Sequence, residues 1–111
     1  MVVRQISALA LMAAILPING FAQQAPPMIN ATFFCGATNL ASTCYFKVFM
    51  SNGTGMKYFA IKAQNHYLVS GLIPGDTFVV GVDKAPPDDG TCNGMGGYSC
   101  SVERVHAGTN M

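Results

Sequence analysis

The stretch CYFKVFMSNGTGMKYFAIKA, residues 44–63, decides the reading of the fold. Asn52-Gly53 sits between two short runs rich in Phe, Tyr, Val and Ile. Asn-Gly between such runs is the strongest short-range hairpin signal, because both residues accept the positive φ of a tight turn. Successive strand side chains point to opposite faces. Phe46, Val48 and Met50 are therefore assigned to one inward face and Phe59 and Ile61 to another, with Lys47, Lys57 and Lys62 on the solvated side.

The same texture extends outward. Ile29–Cys35, His66–Leu72, Thr77–Asp83 and Ser99–His106 are short apolar or aromatic segments separated by turn formers, and Gln64-Asn65 is a second tight-turn candidate. Within Thr77–Asp83, Phe78, Val80 and Val82 share the inward parity and Thr77 the outward one. Residues 23–111 hold no window of eleven or more residues that keeps apolar residues at the i, i+3, i+4, i+7 spacing of an amphipathic helix. The expected fold is all-β, with about six strands. Tyr45, Phe49 and Tyr58 fall on the outward side, where they either pack beneath loops or a second sheet, or form an exposed aromatic patch that receives a partner.

The segment Leu72-Ile73-Pro74-Gly75-Asp76-Thr77-Phe78, followed by VVGV, resembles the E–F corner of fibronectin type III and related immunoglobulin-like domains. Phe78 stands where that family carries tyrosine. The resemblance covers residues 72–82 and implies a small antiparallel β-sandwich, with Val79–Val82 as strand F and Ser99–His106 as strand G. Independently of any family, proline presets the first dihedral of a type II turn and glycine accepts the positive φ of the second.

The amino-terminal residues belong to a different class. Arg4 precedes the apolar run Ile6–Leu16, Pro17 and Gly20 break it, and small residues flank Phe21 before Gln23. This is the order of a cleavable secretory signal over residues 1–22. The apolar run is too short to cross about 30 Å of hydrocarbon, which needs about 20 helical residues. Residues 23–28 read as a flexible leader and 29–111 as one β domain, expected in the periplasm or the medium. In that portion Lys47, Lys57, Lys62, Lys84 and Arg104 balance Asp76, Asp83, Asp88, Asp89 and Glu103. A neutral domain has no electrostatic footprint for nucleic acid or an anionic membrane.

All four cysteines, Cys35, Cys44, Cys92 and Cys100, lie after the signal. An even count in a short exported chain implies disulfides, and four cysteines allow three connectivities. Cys35–Cys44 with Cys92–Cys100 is favoured, since each pair brackets a segment of turn formers. The lack of a CxxC pair speaks against zinc and thiol-redox chemistry.

Lys84–Tyr98 (KAPPDDGTCNGMGGY) has no strand pattern and is long for a connection, which makes it the first choice for a site. A Cys92–Cys100 bridge would fix one half and leave the Gly94–Gly97 tip free to adapt. Asp88, Asp89, Asn93, Met95 and Tyr98 are its candidate contact residues, joined by Tyr45, Phe49 and Tyr58. Asp83, Asp88 and Asp89 lack EF-hand spacing, His66 and His106 lack a catalytic context, and no G-x-S-x-G or phosphate-loop motif occurs. The expectation is a non-enzymatic exported binding protein without cofactor or metal, acting on another protein or an envelope component, with a virulence-accessory role in scope. The alternative is an inhibitor of an exported hydrolase that inserts the 84–100 loop into its target.

Overall fold

The computed structural model describes residues 27–53 and 55–111. The expected signal and most of the expected leader lie outside the described residues. Seven strands follow in chain order: β1 (Ile29–Phe34), β2 (Thr43–Met50), β3 (Gly55–Lys62), β4 (His66–Leu72), β5 (Thr77–Val82), β6 (Cys100–Arg104) and β7 (Gly108–Asn110). They form a three-stranded sheet, β4-β1-β7, and a four-stranded sheet, β3-β2-β5-β6. The fold is a small disulfide-stapled β-sandwich. Every pairing is antiparallel except that of β1 with β7, which is parallel.

The six segments named from sequence correspond to β1–β6. The seventh strand, β7, was not expected, because Gly-Thr-Asn carries no apolar alternation. Asn110 holds it in place. That side chain is 1% exposed, accepts from the His106 N–H at 3.0 Å, and donates to the carbonyls of His106 at 2.9 Å and Thr32 at 3.3 Å. A buried amide is tolerable only with its partners in place, and here both ends of it are used.

The core forms where the sheets face each other. Phe33 of β1 is fully buried and meets three rings of the opposite sheet edge-on: Phe46 at 5.4 Å, Phe59 at 5.1 Å and Phe78 at 5.2 Å between centroids. Phe46 and Phe59 stack at 5.3 Å as cross-strand partners. Val48, Ile61, Val69, Leu72, Val80 and Val105 complete the interior. Met50 and Val82, assigned inward, are half-buried at its margin. Lys57 departs from its solvated-side assignment. It shares the parity of Phe59 and Ile61, and it pairs with Val48, whose side chain is fully buried. It remains exposed at the end of the strand all the same.

The turns fall where the sequence placed them, but at Asn52-Gly53 only the glycine takes positive φ, 86°, and Asn52 does not. β2 and β3 form a hairpin closed across Met50 and Gly55, with Asn52-Gly53 in its loop. At the Pro74-Gly75 corner the Asp76 N–H donates to the Ile73 carbonyl at 3.2 Å and Gly75 has φ of 93°, as a type II turn requires. Phe78 brings no hydroxyl to this corner. Backbone bonds tie it instead: Gly75 N–H to the Val105 carbonyl and Val105 N–H to the Asp76 carbonyl, both at 2.8 Å. The Gln64-Asn65 turn carries the chain from one sheet to the other. Gln64 sits at φ 66°, where a side chain is strained. Its amide N–H donates to the Cys35 carbonyl and its side chain to the Ala37 carbonyl, each at 2.8 Å, which offsets that strain.

The disulfides are Cys35–Cys44, with Cα atoms 5.6 Å apart, and Cys92–Cys100, at 5.9 Å. In the chain-entropy picture each short closed loop contributes about 2.5–3 kcal/mol. For the core itself, Phe33→Ala should cost about 3–5 kcal/mol, as truncation of a fully buried ring does. Leu68→Ala, at an exposed position of β4, should stay within about 0.5 kcal/mol of wild type. Equilibrium unfolding in denaturant measures both.

Candidate functional site

β5 is the strand from which the candidate site is built. Its burial pattern is closed on both faces: Phe78 and Val80 face the core, while Val79, fully buried, faces the other way. Over that face, at Gly81, lies the connection between β5 and β6. Residues 84–99 fold back over the outer face of the four-stranded sheet and bury Pro86 and Met95 there. The contact is close at Gly81, where a Cβ would lie 2.3 Å from the Lys84 carbonyl oxygen and 2.6 Å from Met95 Cε. Glycine is required at this position for space, not for backbone conformation.

Met95 therefore departs from the expectation. Placed in an adaptable Gly94–Gly97 tip, it is 3% exposed and anchors the loop to the sheet. It is not available as a contact residue. Local turns shape the rest. The Asp89 carboxylate accepts from the Thr91 N–H at 3.0 Å and the Thr91 hydroxyl at 2.6 Å, and that hydroxyl in turn accepts from the Asn93 N–H at 3.2 Å. The hydroxyl bond holds the Asp89 carboxyl below its usual range. The Met95 N–H donates to the Cys92 carbonyl at 3.3 Å, and the Tyr98 N–H to the Met95 carbonyl at 3.1 Å.

Two lysines clamp the loop from either side. Lys84 Nζ donates to the Gly94 carbonyl at 3.1 Å and lies 5.6 Å from the centre of the Tyr98 ring. Lys47, on β2, pairs with Asp88 and lies 5.4 Å from the Tyr58 ring. The structure thus brings Tyr58, Lys47 and Asp88 together on the outer face of one sheet, with Lys84 and Tyr98 on the loop. Tyr58 and Tyr98 are half exposed, whereas Tyr45 and Phe49 are partly covered on the same face. Asp89 and Asn93 project into solvent. Sequence reading missed Val102, at the middle of β6 and 51% exposed.

Asp83, Asp88 and Asp89 do not converge. Asp83 accepts from the Ser42 hydroxyl at 2.9 Å and the Thr43 N–H at 3.0 Å, tying the end of β5 to the start of β2. Asp88 is committed to Lys47 and Asp89 to Thr91. Among the described residues no three His, Cys, Asp or Glu side chains group as metal ligands, and no pocket is present. What the arrangement offers is a surface of aromatic rings, paired charges and exposed polar side chains.

Gly81→Ala tests whether that surface depends on the close approach. A methyl group there must push back the Lys84 carbonyl and Met95. The expected result is a loss of about 1–3 kcal/mol, the usual cost of overpacking, with faster proteolysis at Lys84. Unchanged stability and cleavage would show that the loop does not rest on the sheet. The chain matches no protein family, no characterised protein and no solved structure.

Proposed function

We propose that the protein is an exported, non-enzymatic binding module whose contact surface is the outer face of the four-stranded sheet together with the 84–99 loop. The observation that carries this reading is the way the loop is held. Met95 and Pro86 anchor it from beneath, Cys92–Cys100 closes it, and Lys84 caps its turn at Gly94. A loop ordered before binding loses little conformational entropy on docking. Tyrosine, present at its rim as Tyr58 and Tyr98, is a residue type enriched in protein interfaces, while Lys47 and Lys84 serve to hold the loop.

Two disulfides point to an oxidising, extracytoplasmic setting, and no helix among the described residues is long and apolar enough to cross a membrane. Export by the segment at residues 1–22 is part of the proposal, as is contact with an envelope or host component in an accessory role in virulence. The resemblance to the E–F corner of fibronectin type III domains draws support from the chain path. The Pro74-Gly75 turn carries β4 of one sheet to β5 of the other, and β6 then pairs beside β5. Hydrolase inhibition by loop insertion is the less favoured reading, because the loop lies flat on its own sheet and turns Met95 inward.

A photo-reactive amino acid at position 98 or 58, introduced in the producing cells, tests the surface. Cross-linked adducts to one recurrent protein are expected from both positions and not from position 67, which is exposed on β4. Adducts from position 67 alone, or from none of the three, would overturn the assignment.

A further inference from the structure

The four-stranded sheet ends in two uncovered strands, β3 and β6. We propose that these edges pair with each other between copies of this chain, head to tail, so that the sheet continues from one molecule into the next.

The register supports one specific pairing. Across the sheet, Lys57 pairs with Val48, Val48 with Phe78, and Phe78 with Glu103. One row thus begins with an exposed cation and ends with an exposed anion. The neighbouring row runs Tyr58, Lys47, Val79, Val102, beginning and ending with side chains that are 52% and 51% exposed. Continuing the rows into a second copy sets Glu103 opposite Lys57 and Val102 opposite Tyr58. Cross-strand pairs of opposite charge and aromatic–β-branched pairs are the favourable kinds.

Strand direction and hydrogen bonding agree with this. β3 and β6 run in opposite directions, since three successive antiparallel pairings separate them. The Val82 N–H donates to the Ser99 carbonyl at 2.9 Å, and the antiparallel ladder alternates, so Phe78/Glu103 and Val80/Ser101 are the bonded pairs. Cys100, Val102 and Arg104 then turn their backbone groups to the free edge. On the other side the Asp83 N–H donates to the Thr43 carbonyl at 2.8 Å. The same alternation leaves Met56, Tyr58 and Ala60 pointing outward from β3. The free donors and acceptors of both edges fall opposite one another in the proposed register.

Sterics leave room. A continued sheet repeats every four strands, about 19 Å, while the three-stranded layer behind it spans about 14 Å. Neither edge carries proline or a bulge, the usual guards against such pairing. A partner of the same edge, β3 on β3, would bring lysines together with no acid on either strand. A contact of β6 on β3 is heterologous, and strand twist makes it an open helical assembly instead of a closed dimer.

The test uses the oxidised protein recovered from its producing cells, followed by sedimentation velocity across a concentration series. Wild type should gain mass with concentration. Lys57→Glu and Glu103→Lys should each shift assembly to at least about tenfold higher concentration, because like charges then face each other. Mixing these two variants should restore assembly, since each supplies the edge the other lacks. Val102→Pro removes a donor that faces only the free edge, and should give a folded monomer. A wild type that stays monomeric throughout would overturn the proposal, including the case in which another protein's strand occupies the edge. So would charge variants that assemble like wild type, or a mixture that fails to recover. None of these outcomes depends on whether the outer face binds a partner.

Discussion

The sandwich depends on one ring. Phe33 is the aromatic residue of the three-stranded sheet that reaches fully into the interior, and it touches phenylalanines on three separate strands of the other sheet. Edge-to-face pairs add about 0.5–1.5 kcal/mol each beyond the burial of their area. Three at one side chain set the distance and lateral position of the two layers. The hairpin, the cross-sheet turn at Gln64 and the Pro74-Gly75 corner then place strands that already have somewhere to pack. A domain this small buries a modest fraction of its surface, so little else in the interior can substitute. Of the staples, Cys35–Cys44 is buried within the core beside the Gln64 turn, and Cys92–Cys100 closes the root of the long loop.

The structure has a second, thinner interior on the far side of the four-stranded sheet. Val79, Pro86 and Met95 are buried there, apart from the main core cluster. Gly81 sets the distance between loop and sheet, as Phe33 does between the layers. This changes the character of residues 84–99. Prolines and glycines make the segment look loose, yet each local turn is closed by a hydrogen bond and the middle is pinned by a thioether. It functions as a third layer of the domain, and the surface it exposes inherits the rigidity of the sheet below.

Much of this was legible in the sequence, and the misses share a cause. Strands β1–β6, both disulfides and the two turns are local signals: alternation, short cysteine spacing and turn-forming pairs act over a few residues. What failed was long-range. β7 exists because Asn110 finds carbonyls from Thr32 and His106, which no pattern in Gly-Thr-Asn announces. Met95 was misplaced because nothing near it in sequence reveals that Val79 needs a cover. The hint lay elsewhere, in the unbroken apolar run Phe78-Val79-Val80, which is apolar at both parities and so implies burial on both faces. Lys57 was assigned by charge when its parity with Phe59 already placed it on the inner register. Tyr45, Phe49 and Tyr58 lie on the outer side as their parity requires, the first two partly buried and Tyr58 52% exposed.

Lys57 and Glu103 bear on how a small open sheet is kept in check. Both occupy inner-face rows at the margin of the four-stranded sheet, where the three-stranded layer no longer covers them. A lone charge on an edge strand normally discourages another strand from pairing, because it would be desolvated without compensation. That protection fails when the approaching edge brings the opposite charge in register. An edge so marked rejects its own kind, rejects strands with an apolar or basic residue at that row, and accepts an acidic one. The pair therefore works as a selectivity filter, not a simple guard. It also explains how a domain with balanced charge can carry edges that are strongly biased in what they accept.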